Sequence, residues 1–343
     1  MTRLILDVDT GIDDALALAY LATFDTVDVL GVIGTYGNVS VDTAVRNTSY
    51  VLERLGLRHI PVIRGSSHPS WARCFIPDAG CAQFHGTDGL GGFGPACDSS
   101  SSDTAFSDIF SDNSGSDTVF SRDYRSLISV GGYALDDVHA NPAVDSFELS
   151  LTTDSASFIH ADDSSADSVS EGVQFIIDQV RAYGFDVTVV ATGPLTDIDA
   201  AIAAAPDIAG KLMMMGGTLT QEGNCWDLTA ETNIIQDPEA ADRVFHSGAD
   251  ITMVGLDVTH QCLMGSDATR AWREAANADT LTSSTASQVA DSLDGSAGSS
   301  NAASARTSSV AASPSASDVR VFLADMADFS IAANLKADAR LFS

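Results

Sequence analysis

At 343 residues and 35.7 kDa, with 45% apolar residues, the chain is long enough for one large α/β domain, or two small ones, around a sizeable core. Its formal net charge of -30 argues against nucleic-acid or anionic-membrane partners, whose phosphates it would repel. Lysine occurs only at Lys211 and Lys336 and Asp outnumbers Glu, a balance that resembles salt-adapted surfaces and sets the expectation of a halophilic source. No apolar run approaches the roughly 18 residues of a membrane span, and Arg3 leads straight into a strand rather than a signal peptide, so a soluble, cytoplasmic protein is expected. Cys74, Cys81, Cys97, Cys225 and Cys262 form no C-x-x-C pair and read as free thiols; Cys74, Cys81 and His85 are spaced more loosely than zinc motifs.

The first element is the strand-to-helix stretch RLILDVDTGIDDALALAY, Arg3 to Tyr20. A short apolar run, Leu4 to Leu6, reads as a buried strand, and Asp13 and Asp14 as the first turn of an Ala/Leu helix, with Asp7, Asp9 and Gly11 between them. Ligands of open α/β sheets lie at such strand carboxyl ends. A helix N-terminus favours an anion by only about 0.3–1 kcal/mol, which covers part of the mutual repulsion of four carboxylates. A hard cation would cover it. Calcium takes about 6–8 oxygen ligands, and Asp9 and Asp14, on either side of a tight glycine turn, can both reach one ion. Capping of the turn by Asp7 and of the helix by Asp13 is the bland alternative; it leaves the D-x-D-x-G-x-D-D spacing unexplained.

DVDTGIDDALAL resembles the N-terminal signature of the calcium-dependent nucleoside hydrolases, which cut the N-glycosidic bond of ribonucleosides. Asp7-Val8-Asp9-Thr10 also fits the D-x-D-x-T nucleophile motif of haloacid-dehalogenase-type phosphatases, so the remainder of the chain decides between them.

VDVLGVIGTYGNV supplies a second strand with a Gly-rich turn at Gly34 to Asn38. Val41 to Leu55 is a helix with Val45, Thr48, Val51 and Leu52 on one side, and PVIRG, Pro61 to Gly65, a third strand. Strand alternating with helix predicts a parallel sheet with crossovers. The resemblance extends through Asn38, at the place of an active-site Asn, and through Arg46-Asn47 and PVIRG at familiar distances. FHGTDGLGGFG, Phe84 to Gly94, resembles the family's H-G-x-D-G-L-G loop. Its glycines permit turns other residues resist, predicting a mobile loop over a ligand with His85 near the nucleobase.

From Asp98 to about Ser170 the chain is Ser/Asp-rich and without periodicity, and reads as a low-complexity insertion. EGVQFIIDQVRAYG, Glu171 to Gly184, is an amphipathic helix. Val187 to Ala191 is a buried strand, and Thr192-Gly193-Pro194 turns the chain into a helix marked by the Pro. The family has T-G-P-L-T-N here, which implies the Thr192 carbonyl as a calcium ligand and places Asp197 where Asn is usual. KLMMMGG, Lys211 to Gly217, is a further strand. GNCWDLTAETNI then resembles G-N-x-x-P-x-A-E-F-N, implying Asn224, Glu231 and Asn233 as sugar-hydroxyl contacts and Met215 beside the ribose, with Leu228 replacing the Pro and Thr232 the Phe. Carboxylate and amides suit vicinal hydroxyls, which both donate and accept. DPEAADRVFHSGADITMVGLDVTHQ, Asp237 to Gln261, matches the family's helix and strand, with His260 a structural residue after a strand ending at Asp257; a phosphatase has no reason to carry these segments. Residues 279–317 are Ser/Ala-rich and read as a linker or weak helix, followed by an amphipathic helix from Ser317, its cap, to Lys336.

The chain therefore reads as a single α/β domain over residues 1–343, an open, mostly parallel, Rossmann-like sheet flanked by helices, the resemblance covering roughly residues 1–95, 171–265 and 317–330. The resemblance implies calcium held by Asp9, Asp14 and the Thr192 carbonyl. Asp9 takes the proton of the attacking water, and Asp13, Asn38, Met215, Asn224, Glu231 and Asn233 hold the ribonucleoside. It also implies a dimer or tetramer. The family's His-Asp pair, which supplies the leaving-group acid and a last calcium carboxylate, does not follow Phe329; the C-terminal family segment is read as missing, His85 becomes the candidate acid, and reduced activity is expected. A homologue that binds ribose or calcium without turnover is the reading of a different class.

Overall fold

The computed structural model describes residues 1–77, 79–95, 169–293 and 314–341. The Ser/Asp-rich segment, up to residue 168, and residues 294–313 of the Ser/Ala-rich stretch lie outside them. Within the described residues, six strands form one parallel sheet in the order β3-β2-β1-β4-β5-β6. They are β1 (Thr2–Val8), β2 (Val27–Gly34), β3 (Val62–Arg64), β4 (Val187–Ala191), β5 (Lys211–Met215) and β6 (Asp250–Val254). This is a doubly wound order whose direction reverses between β1 and β4.

The alternation along β1 shows why the sheet is covered on both sides. Leu4, Leu6 and Val8 face a core closed by α1 (Ile12–Leu21), α2 (Val41–Arg54) and the C-terminal helix described below, through Ile12, Leu18, Val51, Phe322 and Met326. Ile5 faces the other core, closed by α4 (Glu171–Tyr183), α5 (Thr196–Ala204) and α7 (Pro238–Phe245) through Ile176, Ile198 and Val244. Asp7 shares Ile5's parity, so its carboxyl is carried to the carboxyl end of that second, apolar face. At β5 only one face is fully covered: Leu212 and Met214 are buried while Lys211 and Met213 are exposed.

Short helices α3 (Ala79–His85), α6 (Thr232–Gln236) and α8 (Leu256–Thr259) carry the loops at the strand ends. The helix α9 (Ser266–Leu293) runs well into the stretch read as a linker or weak helix, and pairs with α10 (Ala316–Leu341). Arg273 bridges Asp325 at 2.6 Å and Asp328 at 2.5 Å across this pair, and Arg320 meets Asp279.

Several local expectations are corrected. The cap of α10 is Ser315, whose Oγ accepts from the Asp318 amide at 3.2 Å while the Ser315 amide donates back to the Asp318 carboxylate at 3.2 Å. β6 ends at Val254, so Asp257 lies in α8 and His260 caps that helix. The buried side of α2 is completed by Ala44 and Asn47, with Val45 half-buried. Pro194 stands two residues before α5 and not at its first turn.

Candidate active site

The crevice at the carboxyl ends of β1 and β4 gathers Asp7, Asp9 and Asp14, which are 0%, 1% and 2% exposed. The Thr192 amide donates to the Asp7 carbonyl at 2.9 Å, closing the point where the strand order reverses. Past it the chain turns at Gly11, the N-cap of α1, and this turn brings Asp14 back beneath Asp9. Asp14 accepts from the Gly11 amide at 2.9 Å and from the Thr192 hydroxyl at 2.6 Å. Asp9 accepts from the Asn38 amide at 2.7 Å through Oδ2, and its Oδ1, like both carboxylate oxygens of Asp7, is buried without a hydrogen-bond partner among the described residues.

The electrostatics follow from that geometry. Burial, then the charges of Asp14 and Asp13, push Asp9 well above the ordinary carboxylate range. Asp7 rises for the same first reason, with Asp197 and Asp14 adding to it. Burial and Asp13 raise Asp14 to about 7 against the pull of its Thr192 and Gly11 donors. Asp9 and Asp14 thus raise each other's cost of ionisation, a repulsion that a cation between them would relieve.

Around Gly11 the structure brings together Asp13, Asn38 and His85. A Cβ on Gly11 would stand 2.9 Å from Asp13 Oδ1, 2.9 Å from Asn38 Nδ2 and 2.5 Å from His85 Nδ1, so only glycine leaves room for all three. The Ile12 amide donates to His85 Nδ1 at 3.1 Å, which puts the ring proton of neutral His85 on Nε2. Asp13, its side chain 72% exposed, lies 3.6 Å from the same nitrogen. Gly37 presses on Asp9: a Cβ there would be 2.7 Å from Asp9 Cβ.

The other wall comes from β4 and β5. Asn233 Nδ2 donates to the Thr192 carbonyl at 2.9 Å and to the Met215 carbonyl at 3.0 Å, joining three predicted site residues in one network with Asp14. Glu231 is 2% exposed and caps α6, its carboxylate accepting from the Ile234 amide at 3.1 Å and the Gly217 amide at 3.0 Å. Asn224 is exposed and is not joined to the acids; its Oδ1 accepts from the Thr232 amide at 2.9 Å and hydroxyl at 3.0 Å. Both departures in this loop thus have a local role. Thr232 ties the loop to α6, and Leu228 takes φ +63, which the ring of a proline forbids.

Asp197, marked in the sequence only as standing where Asn is usual, and Asp237, which the sequence did not mark, are buried outside the crevice. Asp197 turns away from the crevice to accept from the Ser66 amide and hydroxyl at 2.9 and 2.8 Å and the Ser170 hydroxyl at 3.3 Å. Asp237 accepts from Ser70, Thr196 and Ala240. Asn47 is wholly buried; besides its place in the Arg46-Asn47 pair, its sequence signal is an amide within the apolar stripe Ala44, Val51, Leu52. Cys74 is exposed and Cys81 buried, and among the described residues no three His, Cys, Asp or Glu side chains converge on a metal-sized point.

A six-stranded parallel sheet with an oxygen-rich crevice at its switch point defines an α/β protein built to hold a polar ligand there. The family model described as inosine-uridine preferring nucleoside hydrolase matches residues 4–336, and the chain belongs to that family. It is 30% identical over 273 residues to a probable uridine nucleosidase 2 of Arabidopsis thaliana, covering 77% of this chain and 62% of that protein. It is 30% identical over 265 residues to a pyrimidine-specific ribonucleoside hydrolase of Shewanella woodyi, covering 76% and 62%. The chain thus spans somewhat under two thirds of these relatives' length. Among solved structures it resembles a purine-preferring ribonucleoside hydrolase from Gardnerella vaginalis, with 30% identity, a TM-score of 0.60, and 99% of this chain and 75% of that one covered. No described helix is long and apolar enough to cross a membrane.

Proposed function

We propose that the protein hydrolyses the N-glycosidic bond of ribonucleosides to ribose and free base. The observation that carries this reading is the unpartnered Asp9 Oδ1, a buried carboxylate oxygen in the crevice to which no donor among the described residues is turned. It is the chain's best-placed proton acceptor for an attacking water.

Calcium fits this site by the same observation. Asp9 and Asp14 with the Thr192 carbonyl form an all-oxygen donor set suited to a hard cation, and a divalent ion would relieve the burial and repulsion that raise both carboxylates. The set holds two carboxylates, short of the three-side-chain convergence of a self-sufficient metal centre. When bound, calcium supplies the positive field that acidifies water and orients the vicinal hydroxyls of the sugar.

The chain's own groups do the rest. Asp9 accepts the water's proton, and its Oδ2 is held by the Asn38 amide so that Oδ1 faces the reacting centre. Asp13 and Asn38, on the open side of Gly11, are placed to take sugar hydroxyls as positive charge develops on the anomeric carbon. Asn233 orients the Thr192 carbonyl, and Met215 lies against the Asn233 amide at 3.5 Å beside the ribose. Glu231 and Asn224 complete the sugar site from the loop between β5 and α6. His85, with Nδ1 accepting from the Ile12 amide and its proton on Nε2, donates a hydrogen bond from Nε2 to the departing base and stabilises the negative charge the base gains, while the base takes its proton from water.

Turnover of inosine and uridine with calcium or chelator, in dilute buffer and at about 1 M salt where the Debye length is about 3 Å, tests the reading. Calcium-dependent release of free base in molar salt is the expected result, the salt acting by screening the -30 charge of a halophilic surface. Binding of ribose with no base released from any nucleoside would replace hydrolysis by a binding role. p-Nitrophenyl riboside, whose leaving group hardly needs a proton, should be cleaved with little dependence on His85.

A further inference from the structure

We propose that Asn47 is a positioning residue: it clasps the glycine-rich loop, residues 86–94, to the acid-bearing turn at Thr10, and thereby seats His85 on the N-terminus of α1. This rests on the role given above to His85 and adds the residue that holds it.

Asn47 lies in α2, 0% exposed, and spends both amide hydrogens on carbonyls from two different loops. Nδ2 donates to the Asp88 carbonyl at 2.7 Å and to the Thr10 carbonyl at 3.4 Å. Its Oδ1 is buried and without a partner. A residue present only to fill the core would not leave a polar oxygen unsatisfied, since a leucine would fill the same volume without that cost. The amide cannot be turned over either, because Oδ1 would then face two carbonyl oxygens. Bridging the two carbonyls therefore accounts for a polar side chain at this position.

The loop is built to be gripped in this way. Asp88 gathers it by accepting from the amides of Leu90, Gly92 and Gly94 at 3.1, 2.9 and 3.0 Å. Gly89, at φ +80, comes so close that a Cβ would stand 2.9 Å from Asn47 Nδ2 and 3.1 Å from the Thr10 carbonyl. The Gly91 amide donates to the His85 carbonyl at 2.7 Å, so the loop's position is passed to the residue at the end of α3. On the other side of the clasp, the Thr10 hydroxyl is hydrogen-bonded to Thr48 at 2.5 Å, fixing the turn that presents the Ile12 amide to His85.

Asn47→Leu separates this role from a structural one. It keeps the side-chain volume and removes the unpaired Oδ1, so the protein is expected to fold; Asn47→Ala is the companion variant. Imidazole nitrogen spectra, assigned against His85→Ala, should show His85 on a single Nε2–H tautomer in the unsubstituted chain and averaging between tautomers in both Asn47 variants. Asp237→Ala, which destabilises the fold at Ser70 and Thr196, should leave His85 locked. In turnover, Asn47→Leu should lower kcat on inosine or uridine by at least about ten-fold, as expected when a positioned hydrogen-bond donor to the departing base is lost, and leave p-nitrophenyl riboside almost untouched. It should also add nothing to His85→Ala. Unchanged His85 tautomer signals in folded Asn47→Leu and Asn47→Ala would overturn the proposal. Absence of base release from the unsubstituted chain would defeat the hydrolase reading instead, leaving the spectra to decide on the clasp.

Discussion

Asp7 and Asp237 are both completely buried, yet their surroundings differ in kind. Asp237 receives the Ser70 amide and hydroxyl at 2.7 and 2.8 Å, the Thr196 hydroxyl at 2.7 Å and the Ala240 amide at 3.1 Å. Asp197 is similarly supplied. Neither oxygen of Asp7 nor Oδ1 of Asp9 receives any donor, although they lie one strand end away. Burial of an acid is thus no mark of function in this protein. The missing donors set Asp7 and Asp9 apart from Asp197 and Asp237, which the same fold surrounds with hydroxyls and amides, and that difference supports the proposed use of the crevice for a ligand or cation.

The sharpest way to break the comparison is at Asp9. Asp9→Asn should reduce nucleoside cleavage by about 10²–10⁴, and Asp9→Asn or Asp14→Asn should remove most of the rise in melting temperature produced by calcium. A ligand that binds only the folded state stabilises it by about 2.7 kcal/mol at 100 times its dissociation constant. Equal melting of the unsubstituted chain in chelator and in calcium would mean that the crevice carboxylates hold no metal.

The pH dependence of stability should separate the two sets next. A carboxyl whose folded pKa is raised contributes stability that is complete below its ordinary value and lost as pH rises through the folded one. In chelator, Asp14, raised from 3.8 to about 7, should therefore make stability fall across that interval, with Asp7 and Asp9 acting in the same direction. Calcium should flatten the slope. Asp257, lowered to about 2 by Thr220 and Leu219, works oppositely: its contribution is present above the ordinary value and lost as pH falls through about 2. Melting temperature against pH, with and without calcium, reads both; a level profile in chelator would show the crevice acids to be solvated.

Urea titration of paired variants comes third. Asp237→Ala strands the donors of Ser70 and Thr196 and should cost about 3 kcal/mol, whereas Asp7→Asn in chelator should be neutral or stabilising by about 1 kcal/mol, since it removes a buried ionisable carboxyl that receives no donor. Equal losses would erase the distinction. The smallest effect belongs to Asp197→Asn, which replaces the carboxylate by an amide of the same shape. Ser66 and Ser170 donate to Asp197, so an amide NH2 would face donors, and a loss of about 1–2 kcal/mol is expected by the same titration.

Much of the architecture was legible along the chain because it is local. Apolar runs alternating with helical periodicity specify a parallel sheet, and Asp9, Asp13 and Asp14 are brought to one helix N-terminus by a turn only a few residues long. The same holds for the loop glycines, whose positive φ at Gly86, Gly89 and Gly91 is a property of each residue and its neighbours. Ser315 capping α10 in place of Ser317, and Leu228 in the left-handed region, are near misses of the same local kind, decided by which residue the tertiary packing fixed as the end of an element.

What the chain order could not reveal is which polar groups find partners. Asp14 meets Thr192 across 178 residues of sequence, Asp197 meets Ser66 across 131, and Asn47 meets Asp88 across 41. Composition and spacing by themselves determined an acidic α/β protein with a carboxylate cluster at the end of its first strand. The tertiary structure alone decided that Asp7 and Asp9 keep unpaired oxygens, that Asp197 and Asp237 do not, and that Asn47 faces two carbonyls. Hydrogen bonds act over about 3 Å, and only the sheet order that sets β1 beside β4 brings those distant groups within that reach.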